Sequence, residues 1–124
     1  MPPRRLTKRR TAFVLVLAIL VAVAGSYAGL RAMSQRANRF RQLVQFHTRR
    51  AAMFHKSIGS KGRAARDCEA WGGERMLQVA RYYRAEAKVC VKMADYHARL
   101  IPKYMYAAAY PWLPVAADPP EPVP

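Results

Sequence analysis

Up to Arg66 the chain contains no aspartate or glutamate. Residues 1–66 carry fifteen lysines and arginines, whereas residues 67–124 carry seven basic and seven acidic side chains, so the front half supplies the whole formal charge of +15. A block with nothing to neutralise it attracts polyanions, and the two abundant ones are nucleic acid and anionic lipid headgroups. Cysteine is nearly missing too: Cys68 and Cys90 are the only two. No Cys-x-x-Cys or His-x-x-x-His spacing occurs, which excludes the usual zinc patterns. Alternating period-two runs are absent outside one apolar segment, so no sheet is expected. At 124 residues, about thirty of them in that segment and its basic lead, the remainder suffices for one small domain and excludes a large enzyme core.

What is present begins with that segment. Residues 11–30 hold no charge, in a chain that is 23% charged. Twenty helical residues span about 30 Å, the hydrocarbon thickness of a bilayer. A basic tail, residues 1–10, precedes the run, and Ala22-Val23-Ala24 within it is a small-x-small pattern of the kind signal peptidase cleaves. The uncharged run exceeds a signal-peptide core, which favours a retained transmembrane helix or signal anchor, with cleavage and export as the alternative. Gly25 and Gly29 form a weak small-xxx-small pair. Positive charges flank both sides of the span almost equally, and the short N-terminal cluster tips the expected topology toward a C-terminal domain outside the cytoplasm.

Beyond the span, Met33, Ala37, Phe40, Val44, His47, Ala51, Phe54 and Ile58 recur at alternating spacings of four and three. Met76, Ala80, Tyr83, Ala87, Cys90, Ala94, His97 and Ile101 repeat the same series. Two heptad seams with glycines between them predict an antiparallel helical hairpin over 31–109, with helices at about 31–58 and 74–101 and a connection over 59–73 capped at Gly59. Aligning Ile58 with Met76 sets Phe40 over Ala94, Phe54 over Ala80, and His47 over Ala87, large against small. In that register His47 and His97 are far apart. Pro102 should kink or stop the second helix.

The expected fold class is therefore all-α: an N-terminal transmembrane helix, a basic hairpin, and an extended Pro-rich tail over 110–124. Arg31, Arg36, Arg39, Arg41, Arg49 and Arg50 are the candidate contacts for anionic lipid or another polyanion. Tyr104, Tyr106, Tyr110 and Trp112 are candidate membrane-interface aromatics, since such rings keep one edge wet at the headgroup layer; covering the base of the hairpin is the alternative.

The ending carries a resemblance. Tyr96-His97, Lys103-Tyr104, Ala107-Ala108, Pro111 to Val115 and Asp118 to Pro122 stand as in an uncharacterised family of short bacterial single-span membrane proteins that end in Pro-Trp-Leu-Pro-Val and Asp-Pro-Pro-Glu-Pro. The resemblance covers about the last thirty residues and implies an anchor and an arginine-rich helix. It transfers no functional residues, and Ile101-Pro102 departs from the unbroken helix it leads one to expect.

Chemistry is hard to find. Cys90 with His47 across the seam and Glu86 one turn earlier is the nearest thing to a nucleophile with a base and a carboxylate, and core packing explains it better. Cys68 lies too far from Cys90 for an intramolecular bridge in the expected register, which leaves an intermolecular one open. Gly59-Ser60-Lys61-Gly62 has the Gly-x-x-Gly form of a nucleic-acid clamp, but that module needs strands. The reading is a non-enzymatic, membrane-anchored interaction or scaffolding protein with no cofactor. Its partners are the bilayer and its anionic headgroups, with a protein partner or homo-oligomer left open and nucleic acid disfavoured.

Overall fold

The computed structural model describes residues 4–123, of which 4–9 by backbone alone, so the side chains of the basic tail before Arg10, together with Pro124, lie outside the described residues. The described residues form two helices, α1 over Arg4–Trp71 and α2 over Glu74–Ala109, and a non-helical C-terminal segment. No strand occurs among the described residues. The chain divides into two compact units, with the boundary between Arg36 and Ala37.

In the first unit, every residue from Arg10 to Arg36 is exposed. A stretch of this helix has a mean hydropathy of 2.4, long and apolar enough to cross a membrane. Ser26 donates its hydroxyl to the Ala22 carbonyl at 2.8 Å, so the polar atom is satisfied within the helix itself.

The second unit is a helical hairpin, as the two seams require. Its bend is much tighter than the expected connection over 59–73. Helix α1 continues through Gly59 and Gly62 to Trp71, and only Gly72 and Gly73 lie between the helices. The reason is that the seam does not stop at Ile58: Lys61, Ala65 and Cys68 continue it at spacings of three, four and three, and all are at least half-buried. That burial outweighs the cost of about 1 kcal/mol for each mid-helix glycine.

Both hinge glycines have positive φ, 68° at Gly72 and 88° at Gly73, and Gly73 with ψ 145° sits in a region that only glycine occupies readily. Open space surrounds both positions, so a methyl group there would be strained by backbone conformation alone. Gly73→Ala is expected to destabilise the hairpin by about 1–3 kcal/mol. Thermal unfolding followed by circular dichroism checks this, with Gly59→Ala, in the helix and in open contact, as the control that should not destabilise.

The register also differs from the one predicted. Phe40 stacks on Tyr104 rather than lying over Ala94, and His47 meets His97 rather than Ala87, so each lies ten residues further along α2 than expected. Moving the bend from 59–73 to 72–73 produces this slide. The same register sets Ala51 level with Ala94 and Ala65 level with Ala80, and all four are buried. Layers are thus sorted by size: alanines sit level with alanines, and rings with rings.

Helix α2 passes through Pro102 and ends at Ala109, eight residues beyond the predicted end. A proline within a helix costs about 3 kcal/mol. Leu100, Tyr104 and Ala107, buried on either side of it, hold the helix together across that point. Pro102 itself is exposed.

Candidate functional site

The heptad spacing of α1 puts Phe40, His47 and Phe54 on one face, and that of α2 does the same for His97 and Tyr104. The hairpin interleaves them into a single ladder. Phe40 stacks on Tyr104 (6.0 Å, 25° between planes), and Tyr104 stacks on His47 (5.4 Å, 3°). His47 adjoins His97 (5.1 Å), which stacks on Phe54 (5.7 Å, 12°). Phe46 and Tyr96 close the sides edge-on.

At the centre the two imidazoles share a hydrogen bond, Nδ1 to Nδ1, at 2.9 Å. One Nδ1 carries the hydrogen and donates, the other accepts, so the neutral rings hold opposite tautomers. Both are buried, 6% and 4% exposed. Burial pushes the His47 pKa below its usual value, against the opposing pull of Asp118 and then Glu121. Burial also lowers His97, helped by His47 and Arg50 and opposed by Glu121. The pair can hold one extra proton and keep its bond, since an imidazolium still donates to a neutral ring. A second proton leaves two donors face to face.

Over this ladder lies the C-terminal segment. After a turn in which Leu113 N donates to the Tyr110 carbonyl at 3.1 Å, the chain reaches Asp118, whose carboxylate accepts from Tyr104 Oη at 2.6 Å and from Lys103 Nζ at 2.5 Å. Tyr96 Oη donates to the Pro119 carbonyl at 3.1 Å. Partial burial raises Asp118, but Lys103 and Tyr104 more than offset it and hold the carboxyl below its ordinary range. Burial, and then the bond to Asp118, push the Tyr104 phenol up to about 12.

Nearer the bend, Glu86 accepts from Lys61 and from Tyr82 Oη, the latter at 2.6 Å. Arg84 forks onto Glu69 with two bonds of 2.8 Å. The Lys61–Glu86 and Arg84–Glu69 pairs link α2 to α1, and the hydrogen bond from Lys61 holds Glu86 below the usual carboxylate range.

The residues singled out in the sequence separate as follows. Arg31 and Arg36 are exposed in the first unit; Arg39, Arg41, Arg49 and Arg50 are exposed in the second. Arg41 donates to Asn38 Oδ1 at 2.9 Å, and Arg50 lies 5.5 Å from the Phe46 ring centre. Tyr106, Tyr110 and Trp112 form an exposed chain of ring contacts. Tyr104 differs: it is 8% exposed, its ring taken up by Phe40 and His47 and its hydroxyl by Asp118.

The Cys90–His47–Glu86 grouping does not form. His47 meets His97, seven residues or about 10 Å along α2 from Cys90, and Glu86 is engaged by Lys61 and Tyr82. Cys68, within the last turns of α1 rather than in a loop, and Cys90 are both free thiols. Among the described residues no three histidine, cysteine, aspartate or glutamate side chains are placed to share a metal ion. The histidine pair was not legible in the sequence because it depends on the register, and the Asp118 contacts were not because nothing in an extended Pro-rich tail says where it turns back onto α2. Comparison with known protein families, curated proteins and solved structures finds no match.

Proposed function

We propose that this chain is a non-catalytic, membrane-anchored interaction protein, held by residues 11–30 and presenting a basic helical hairpin to an anionic surface. The observation that carries the reading is the exposure of the apolar run. Ten aliphatic or phenyl side chains from Phe13 to Leu30 are each more than half exposed. Moving that many out of water is worth roughly 20 kcal/mol, more than the whole stability of a typical domain at about 5–15 kcal/mol. A bilayer supplies that environment for a helix of this length.

The partner class follows from charge. Arg39, Arg41, Arg49 and Arg50 are exposed on a stretch of helix in which the first acid is Asp67, and each basic group near an anionic membrane surface contributes about 1 kcal/mol. Anionic lipid is favoured over nucleic acid because it lies beside an anchored chain.

Carbonate washing of membranes tests the anchor. The expected outcome is full-length protein in the pellet, with its original N-terminus. Full-length protein in the supernatant would overturn the reading. A soluble product beginning just after Ala24 would instead establish the exported form that Ala22-Val23-Ala24 allows.

A further inference from the structure

The ladder and the ion pairs of the hairpin are closed on themselves, but the contact between α2 and the C-terminal segment joins a groove to a ligand-like strand of chain. Tyr96 and Lys103 are seven residues apart on one stripe of α2, with Tyr104 beside them. Their polar atoms are all donors: two phenolic hydroxyls and an ammonium, aimed at Asp118 and at the Pro119 carbonyl. The segment they meet, Asp118-Pro-Pro-Glu-Pro, offers mostly acceptors, since proline has no amide hydrogen. Prolines 119, 120 and 122 lie along Lys92, Asp95, Tyr96 and Arg99. An aromatic hydroxyl donating to a proline carbonyl, with further prolines along the same face, is how Pro-rich peptides are read by grooves that profit from a ligand already stiff before binding.

We infer that this face of α2 is a receptor groove for acidic, proline-rich peptide segments of a partner protein, occupied in this structure by the chain's own residues 118–122. Charge selects that class. Lys92, Arg99 and Lys103 line the groove or reach into it, Arg50 lies close enough to act on His97, and Asp95 is the one acid among them. The occupying segment brings two carboxylates, Asp118 and Glu121, and the latter acts on both histidines of the ladder.

Two features make the occupant exchangeable. Residues 118–121 are exposed even while seated, and of the bonds holding them the Lys103–Asp118 pair and the Tyr96–Pro119 bond remain in reach of solvent, a class that grips loosely, while only the Tyr104 hydroxyl holds Asp118 from a buried ring. What keeps them in place is tethering: a segment joined through the short connection after Ala109 is presented at an effective concentration of about millimolar, which a free peptide must match. The chain's own tail is then a competitor that a partner displaces.

The test uses the full chain in detergent micelles and a fluorescently labelled peptide of residues 115–124. Asp118→Asn in the protein releases the tail and is expected to raise peptide affinity at least fivefold over the unaltered chain. Lys103→Met and Tyr96→Phe, each placed in the Asp118→Asn chain so that the tail no longer competes, act on the groove and are expected to lower affinity by a similar factor relative to Asp118→Asn alone. Circular dichroism confirms the helical hairpin in each variant. A peptide with Asn at its fourth position should compete poorly, and so should a scrambled peptide of identical composition. The inference is overturned if Asp118→Asn binds the peptide no better than the unaltered chain. It is overturned equally if tail and groove variants shift affinity in the same direction, or if the scrambled peptide binds as well as the true one. None of these results bears on whether residues 11–30 anchor the chain, which the carbonate wash reads separately.

Discussion

Ala94→Leu is expected to destabilise the hairpin by about 3 kcal/mol, the upper part of the range for overpacking a filled site. Ala94 is fully buried, and the register sets it level with Ala51, itself 7% exposed. Three extra carbons at that layer have no cavity to enter, so they must separate the helices. Separation there also loosens the ladder, because His97 follows Ala94 by less than one turn and its bond to His47 is 2.9 Å. Ala98→Leu, four residues further along on an exposed face, is the matched control and should change stability by no more than about 0.5 kcal/mol. Denaturant unfolding of the two variants reads the difference. Equal effects at both positions would mean that the alanine layers do not set the helix separation.

The second large effect is expected at the histidine pair. Replacing His97 with Leu removes the partner of His47 Nδ1 and leaves a buried imidazole unsatisfied, which costs about 1–3 kcal/mol. The pair also makes stability depend on pH. Both folded pKa values lie below the ordinary value of 6.5, so the unfolded chain binds protons more readily than the folded one. Stability from this source is complete above pH 6.5 and is lost as the pH falls from there through the lowered folded values. The groups facing the pair are Tyr96, Tyr104, Asp118, Glu121 and Arg50. Lys103 and Tyr104 hold Asp118, Arg84 holds Glu69 and Lys61 holds Glu86 below the ordinary carboxylate range, so these groups give up their own contributions only at more acid pH. Between pH 7 and 5 the unfolding midpoint should therefore drop in the native chain and stay nearly level in His47→Leu/His97→Leu. An equal drop in both would place the pH dependence elsewhere.

Much of this hairpin was legible in the sequence, and the part that was not has an identifiable cause. The seam positions from Ala37 to Ile58 and from Ala80 to Ile101 are all buried or half-buried, whereas Met33 and Met76, which began the two series, are exposed. Period alone reports which face turns inward, since every turn repeats it. It does not report how far one helix slides along the other. Matching large side chains to small ones set Phe40 over Ala94 and Phe54 over Ala80, a plausible packing, whereas the structure puts rings in some layers and alanines in others. The signal that decides between them is Lys61. The expected cap at Gly59 left it in the connection, yet in the fold it occupies the next seam position and reaches Glu86 on α2. Counting it in extends α1 past both earlier glycines and leaves the adjacent pair at 72 and 73 as the only bend. The histidine pair follows once that register is known, whereas the Asp118 contacts depend on the path of the chain after Ala109. The exposed arginines needed no register, because a block of like charge is driven to the surface wherever it falls.

The two-glycine bend also brings the two helices together within one chain. Its helices are complementary when run in opposite directions, and nothing in their layers requires that both belong to one molecule. If the bend were straightened into continuous helix, two such rods side by side and reversed would offer one another the same sequence of methyl and ring tiers. Gly72 and Gly73 are then the residues that make the arrangement intramolecular, by letting the backbone reverse within two residues.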